Sequence, residues 1–290
     1  MPTIGEILKE IRDELFKKNI SESQIESEII IENVLGISTE KLYSNINKQC
    51  SEKEYKNIIK VLKKRKQRIP LPYITENCYF YGKKFHIYSG ILIPRPETEL
   101  LIDRCLYNIP KSSNIKLSVL DIGTGSGIIA IILKLMSPLL TVNALDISKE
   151  AINLTKKNIE LHNLNGKINL FNEDFRDHLS MKYDFILANL PYIPKNRFPS
   201  LPPELKFEPR LALDGGENGI ELITDLIKLL PKIVKGTDSN VILEIDSTQL
   251  KYVNNIINIY LKSAKILSLK DLSGKDRIVE ISNIKYETIS

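Results

Sequence analysis

Asp121-Ile122-Gly123-Thr124-Gly125-Ser126-Gly127 is the stretch that decides the fold. The three glycines come directly after a short apolar run that predicts a buried strand. They let the backbone turn sharply and let a ligand approach without obstruction by a Cβ atom. The stretch therefore predicts a strand, a ligand-binding loop and a helix, in that order.

Strands and helices alternate along the chain from Lys116 onward. The pattern predicts strands near 117–121, 141–146, 167–171, 183–188 and 240–245, with helices from Ser126, from Ser148, over 217–234 and over 247–261. Such alternation predicts a mostly parallel sheet covered on both faces. Two closing strands, near 264–270 and 277–282, have no helix between them, so one of them is expected to be antiparallel.

The region before this alternation is expected to be helical. Ile4, Ile7, Ile11 and Leu15 recur at helical spacing, a second helix begins near Ser21, and a third runs over 51–68. The basic residues 63–68 would either contact phosphate or an acidic partner or end a solvated helix. After them, aromatic alternation over 79–81 and 85–88 predicts a β-hairpin, and Pro96 suits the first position of a helix.

Composition bounds the class of protein. The chain has 290 residues, 42% hydrophobic and 27% charged, with a net charge of +5, which indicates two globular domains without a strong nucleic-acid-binding charge. Three distant cysteines predict neither a disulfide framework nor a zinc knuckle, and the three histidines lack metal-ligand spacing. Without a signal peptide or a membrane-length apolar run, we expect a cytoplasmic protein that binds no membrane. We also expect a monomer that binds no metal.

A missing third glycine and the residues at the ends of the next two strands indicate which ligand the glycine loop binds. A dinucleotide fingerprint needs a third glycine at position 128, where the chain has Ile128. The stretch instead looks like the cofactor loop of S-adenosyl-L-methionine (SAM) methyltransferases, which yield S-adenosyl-L-homocysteine. Asp146 ends the next strand and can accept both ribose hydroxyls, although it could also cap the following helix. Asp174 and Phe175 offer a carboxylate and a ring for adenine.

The second informative stretch is Asn189-Leu190-Pro191-Tyr192, which follows the apolar run 183–188. A carboxamide or aromatic amine nitrogen is a poor nucleophile, so the enzyme must hold that nitrogen in line with a methyl donor while two oxygen acceptors polarise its N–H bonds. The Asn189 side chain and the Leu190 carbonyl could accept them, with Pro191 extending the backbone and Tyr192 packing over the acceptor plane. The alternative is an ordinary strand-ending turn.

Further motifs support a resemblance that covers nearly the whole chain. Leu92-Ile93-Pro94-Arg95-Pro96-Glu97-Thr98-Glu99, the two stretches above, Glu208-Pro209 and Gly215-Gly216 resemble the PrmC/HemK protein-(glutamine-N5) methyltransferases, which modify the glutamine of the Gly-Gly-Gln motif in peptide chain release factors. The resemblance implies an α/β fold of class I SAM-dependent methyltransferase type, Rossmann-like, with a seven-stranded mostly parallel sheet. It also implies a helical release-factor-binding domain at 1–75, a β-hairpin linker at 76–95 and a methyltransferase domain at 96–290.

The same resemblance assigns site residues. It implies that the cofactor is held by Gly123, Thr124, Gly125, Ser126, Gly127, Asp146, Phe175 and Asn189. It implies that catalysis and substrate binding use Asn189, Leu190, Pro191 and Tyr192. Leu190 replaces the family's usual proline, and Glu244-Ile245-Asp246 replaces Glu-Ile-Gly.

Two other functions remain open from the sequence. The same acceptor geometry suits an adenine-N6 methyltransferase on rRNA or DNA, because it can receive a flipped base. Such an enzyme should present a broad basic surface and stacking aromatics, whereas this chain has no Trp and a net charge of only +5. A catalytically silent SAM-binding module is the other possibility, and the intact acceptor tetrapeptide argues against it.

Overall fold

The computed structural model describes residues 1–110 and 116–285, and the chain forms two compact units within it. Unit 1 comprises Met1–Asn77 with Pro202–Phe207, and unit 2 comprises Cys78–Leu201 with Glu208–Ser290. The predicted methyltransferase domain 96–290 includes residues 111–115 and 286–290, which lie outside the described residues.

Unit 1 is helical and has its own apolar core. Its helices are α1 (Ile4–Lys17), α2 (Ser23–Leu35), α3 (Thr39–Ser44), α4 (Glu52–Lys66) and α5 (Leu71–Thr75). Thr3 and Ser51 begin α1 and α4 with reciprocal capping boxes. The three predicted helices are present, while α3 and α5 are additional because each is too short to show apolar periodicity.

A distant segment completes unit 1. Residues Pro203–Phe207 form a short 3-10 helix, and Glu204 accepts a hydrogen bond from Arg65 at 3.1 Å. The Arg65 side chain is only 5% exposed and also pairs with Glu26 at 2.6 Å. The end of α4 is therefore not simply a solvated basic cluster, because this arginine is buried between two carboxylates.

Unit 2 contains the sheet. Strands β1 (Asn77–Phe80) and β2 (Lys83–His86) form the hairpin, with the second strand two residues earlier than predicted. The remaining elements are the 3-10 helix Pro96–Thr98, α6 (Glu99–Asn108), β3 (Ser118–Ile122), α7 (Ile128–Met136), β4 (Thr141–Leu145), α8 (Lys149–Leu161), β5 (Ile168–Phe171), β6 (Phe185–Ala188), the 3-10 helices Lys195–Ser200 and Arg210–Ala212, α9 (Glu221–Ile233), β7 (Asn240–Glu244), α10 (Leu250–Tyr260), β8 (Lys265–Lys270) and β9 (Asp276–Ser282).

The large sheet has seven strands in the order β5-β4-β3-β6-β7-β9-β8. Strands β3 to β7 are parallel, and β9 is antiparallel to both of its neighbours. The predicted mostly parallel sheet with an antiparallel closing strand is therefore confirmed. The strand order reverses between β3 and β6, which is the point where open α/β sheets bind ligands.

Both faces of the sheet are buried, as consecutive side chains show. In β3, Val119 packs with α6, α7 and α8, whereas Leu120 packs with α9 and α10. Side chains alternate between the two faces of a strand, so each face receives its own apolar layer. The carboxyl ends of the parallel strands are left to carry the polar groups.

Within residues 1–110 and 116–285, every helix is too short or too polar to cross a lipid bilayer. The three cysteines, Cys50, Cys78 and Cys105, are free thiols.

Candidate active site

The strand register brings the predicted site residues to one edge of the sheet. Ile122, the last residue of β3, pairs with Leu145 on one side and with Ala188 on the other. Gly123, Asp146 and Asn189 are the residues that follow these three. Because the strands are parallel, they lie side by side at the switch point of the sheet.

A cleft of about 210 Å³ opens at this edge within unit 2. Its walls come from residues 90–98, from the glycine loop, from the ends of β4 and β6, and from residues 209–212. Of the predicted site residues, those that line the cleft are Gly123, Thr124, Gly125, Ser126, Asp146, Phe175, Asn189, Leu190 and Pro191. Gly127 and Tyr192 are outside the lining.

The glycine loop needs glycine for two separate reasons. Gly123, Gly125 and Gly127 all have positive φ, at 71°, 58° and 83°. At Gly127 a Cβ atom would also lie 2.7 Å from Thr155 Cγ2, so a larger residue would overlap α8. Gly127 therefore shapes the loop through packing, whereas Gly123 and Gly125 border the cleft.

The buried carboxyl group of Asp121 holds the glycine loop through hydrogen bonds. Asp121 Oδ2 accepts hydrogen bonds from Thr124 Oγ1 at 2.6 Å and from the Ala130 amide at 3.2 Å. Its Oδ1 has no hydrogen-bond partner in the described part of the chain. Burial raises the pKa of Asp121 to about 7, against the opposing effect of these two donors.

Asp146 joins the loop to the next helix. Its Oδ2 accepts from the Gly125 amide and its Oδ1 from the Ser148 amide, both at 2.9 Å. Ser148 itself caps α8 by accepting from Ala151, so Asp146 is not the cap residue. Each carboxylate oxygen keeps lone-pair capacity for a further donor. Burial raises the pKa of Asp146, and the two amides lower it.

The next strand end contributes a ring and a paired carboxylate. Phe175 is buried and lines the cleft. Asp174 also borders it, but its two oxygens accept from Arg176 at 2.9 and 2.5 Å, and this pairing lowers the pKa of Asp174. Phe175 is thus placed against the cleft as expected, while the role of Asp174 towards adenine stays a prediction.

The Asn189 amide is held from one side only. Its Nδ2 donates to Thr98 Oγ1 at 3.1 Å, and Thr98 Oγ1 donates to Glu244 Oε2 at 2.7 Å. Asn189 Oδ1 accepts no hydrogen bond within residues 1–110 and 116–285. Burial raises the pKa of Glu244 to about 7. Sequence reasoning missed Thr98 and Glu244 as site residues, because only the fold brings them to Asn189.

The segment Leu190–Tyr192 after Asn189 packs against a second glycine-rich segment. A Cβ atom at Gly215 would lie 2.7 Å from the Pro191 carbonyl oxygen, and one at Gly219 would lie 2.4 Å from the Tyr192 carbonyl oxygen. Gln249 Nε2 donates to that same Tyr192 oxygen at 2.9 Å. These contacts fix the position of the segment, and burial raises the pKa of the Tyr192 hydroxyl.

An ion pair between the half-buried Arg95 and the buried Glu208 connects two walls of the cleft. Glu208 accepts from Arg95 Nη2 at 2.5 Å and from the Ile93 amide at 3.1 Å, with a side chain that is 2% exposed. Arg95 belongs to the loop before α6, and Glu208 precedes the wall residues 209–212. The ion pair therefore holds the position of both walls.

The histidines and metal-type ligands do not form a second site here. Across the described ranges, His, Cys, Asp and Glu side chains nowhere gather in a group of three that could hold a metal ion. His178 is buried, with Nε2 at 2.6 Å from the Tyr183 hydroxyl and Nδ1 against Glu173. It is a hydrogen-bonded core residue.

Comparison with known proteins gives matches over both parts of the chain. Residues 6–75 match the family model described as PrmC N-terminal domain, and residues 97–198 match the Methyltransferase small domain. The release factor glutamine methyltransferase of Aquifex aeolicus is 34% identical over 92% of this chain and 93% of its own length. The enzyme of the same name from Thermodesulfovibrio yellowstonii is 33% identical over 93% and 95%.

A solved structure agrees in fold. The methyltransferase from Pyrococcus furiosus has a TM-score of 0.51 and 18% identity over 71% of this chain and 90% of its own. The likeness supports the fold of the sheet described above.

Proposed function

Because the chain belongs to the release factor glutamine methyltransferase family, we propose that it transfers a methyl group from SAM to the side-chain amide nitrogen (N5) of the glutamine in the Gly-Gly-Gln motif of peptide chain release factors. The observation that carries the proposal is the Asn189 side chain. It lines the same cleft as the glycine loop, with Nδ2 bonded to Thr98 and Oδ1 free to accept an N–H bond.

Asn189 suits a carboxamide substrate. An amide nitrogen has a delocalised lone pair, so it attacks only when it is aligned and when its N–H bonds are polarised. Asn189 Oδ1 can accept one N–H bond, and the Leu190 main-chain carbonyl is proposed for the other. When bound, SAM supplies an electrophilic methyl group on a sulfonium. The methylated nitrogen then loses its extra proton to water, so a strong base is not required.

The residues at the other end of the cleft fit the cofactor. Gly123 and Gly125 leave the loop without side chains where a ligand would approach. Asp146 keeps acceptor capacity for the ribose hydroxyls, and Phe175 presents a buried ring beside it for the base. Ile128 in place of a third dinucleotide glycine agrees with a cofactor that carries no pyrophosphate.

Domain roles follow from the same family. We propose that residues 1–75 bind the release factor, that 76–95 link the domains and that 96–290 form the methyltransferase domain. The match of residues 6–75 to the PrmC N-terminal domain supports the first of these roles. Phe16 and Ile25 are exposed apolar side chains of that unit and are available for a protein partner. We also propose that the protein is a cytoplasmic monomer that binds no nucleic acid stably.

The decisive experiment is mass spectrometry of a release factor after incubation with the protein and SAM. We expect one added methyl group, located by fragmentation on the Gly-Gly-Gln glutamine. A release factor with that glutamine replaced by glutamate is the matched control, because it lacks the NH2 group. It should remain unmodified.

Labelled methyl transfer separates the alternatives. Methylation of rRNA or DNA adenine, with the release factor left unmodified, would replace the proposal by the adenine-N6 function. SAM binding without transfer to any of these substrates would favour a silent binding module.

A further inference from the structure

We propose that Thr98 and Glu244 are positioning residues for the methyl transfer, because they form a one-way hydrogen-bond relay that turns the Asn189 side-chain oxygen towards the cleft. The inference rests on the proposed function and adds two residues to it. Neither residue belongs to the acceptor tetrapeptide.

The fold places the three residues together at adjacent strand ends. Ala188 of β6 pairs with Leu243 of β7, so Asn189 and Glu244 are neighbouring residues in register. Thr98 ends the 3-10 helix before α6 and reaches both of them. Thr98 and Glu244 are only 2% and 1% exposed, so water does not compete for these hydrogen bonds.

The relay has a direction because a carboxylate cannot donate. Thr98 has one hydroxyl proton, and it is used towards Glu244 Oε2. Only lone pairs remain on the Thr98 oxygen, so its bond to Asn189 must come from the NH2 end of the amide. The Asn189 oxygen is then on the other side and available to the substrate. A neutral partner in place of the carboxylate would leave both amide orientations open.

Several charged groups act on Glu244. Arg277 of β9 and Arg95 of the loop before α6 favour its ionised form, whereas Glu97 opposes it. Tyr192 also lies within electrostatic range of Glu244. Burial outweighs the two arginines, so protonation of Glu244 below about pH 7 would allow the relay to run in either direction.

The first test is a threonine series measured with saturating SAM. Thr98→Val keeps the shape and removes both hydrogen bonds, and we expect kcat to fall about tenfold with little change in KM for SAM. Thr98→Ser restores the hydroxyl and should recover most of the lost rate. Thr224→Val is the matched control, because the Thr224 hydroxyl donates to the carbonyl of Ile220 just before α9 and, within residues 1–110 and 116–285, bonds no other group. It should leave kcat unchanged.

The second test is the pH profile. We expect kcat of the unaltered protein to fall severalfold as pH drops below about 7, and Glu244→Gln to show a lower kcat without this acid limb. Thr98→Val should lose the limb as well, since it disconnects Glu244 from Asn189. Glu280→Gln removes another buried carboxylate, one paired with Arg104 and Asn108, and should keep the limb. A merely structural role for Glu244 would leave the profile of its variant unchanged.

A readout without substrate keeps the two proposals separate. In a 1H–15N NMR spectrum, the side-chain NH2 signal of Asn189 is identified by its absence from Asn189→Ala. We expect slow hydrogen exchange for one of its protons, and rapid exchange in Thr98→Val. If Thr98→Val retains full kcat and the same slow exchange, the relay is wrong. If the unaltered protein methylates no glutamine, the proposed function fails, and the exchange measurement still decides the relay.

Discussion

The two ends of the cleft are built in different ways. The cofactor end comes from seven consecutive residues, 121–127, and Asp146, which bonds the loop backbone at Gly125. The acceptor end comes from side chains far apart in sequence, since Asn189 and Thr98 are 91 residues apart and Thr98 and Glu244 are 146 apart. Backbone shape is encoded locally, whereas side-chain orientation depends on the completed fold.

Replacing Asn189 by alanine should give the largest effect and should separate the two ends. We expect kcat to fall about 10²- to 10³-fold, or about 3–4 kcal/mol of transition-state stabilisation, by analogy with loss of one oxyanion-hole donor. The dissociation constant for SAM, measured by calorimetry, should change much less than kcat, even though the family resemblance also implies a cofactor contact for Asn189. A large loss of SAM affinity with normal kcat would place Asn189 at the cofactor end instead.

Gly127→Ala tests whether the loop is fixed by packing against α8 in addition to its backbone conformation. The added Cβ would meet Thr155 at 2.7 Å with φ at 83°, so we expect a loss of about 3 kcal/mol in unfolding free energy. Gly166→Ala is the control, with φ at 72° and nothing within 4 Å of the added atom. It should cost about 1 kcal/mol from backbone strain alone. Equal losses in denaturant titrations would contradict the packing argument.

Asp146→Asn should weaken the cofactor end while sparing the acceptor end. The amide offers one acceptor oxygen where the carboxylate uses two, one for the Gly125 amide and one for the Ser148 amide, and it lacks the charge. We expect SAM to bind about 30-fold more weakly, or about 2 kcal/mol, with kcat at saturating SAM within about threefold. A fall in kcat at unchanged SAM affinity would contradict the assignment of Asp146 to the cofactor end.

Asp121→Asn tests the buried carboxyl under the loop. Its pKa in the folded protein is raised from 3.8 to about 7, so its contribution to stability is full below 3.8 and is lost as pH rises through about 7. From pH 6 to 8 the unfolding free energy of the unaltered protein should therefore fall by on the order of 1 kcal/mol. The variant should not show this decrease, because an asparagine at position 121 does not titrate. Parallel stability curves for the two proteins over this range would show that Asp121 does not titrate there.

Most of the sheet could be predicted because its signals are local. The apolar run before Gly123 and the alternation after Lys116 place the strands within a few residues of where they lie, and the family resemblance is confirmed by the matches over both parts of the chain. The two short helices of unit 1, α3 and α5, could not be predicted, since six and five residues are too few to show a period.

The acceptor end shows the limit of sequence reasoning. Asn189 stands out because it follows a buried strand, but Thr98 looks only like part of a helix start, and Glu244 looks like the end of a strand. Their connection needs the register of β6 with β7 and the position of the helix start beside it. The same holds for Gly219, whose need for glycine comes from the Tyr192 carbonyl.

Residues 202–207 belong to unit 1, and this affects any attempt to divide the gene into its two domains. A gene fragment that stops at Asn77 omits Glu204, so the buried Arg65 side chain loses one of the two carboxylates with which it pairs. A buried cation short of a counter-ion is costly. The helical unit therefore cannot be transferred to another protein as residues 1–77 alone. A working fusion must also include the segment 202–207 that carries Glu204.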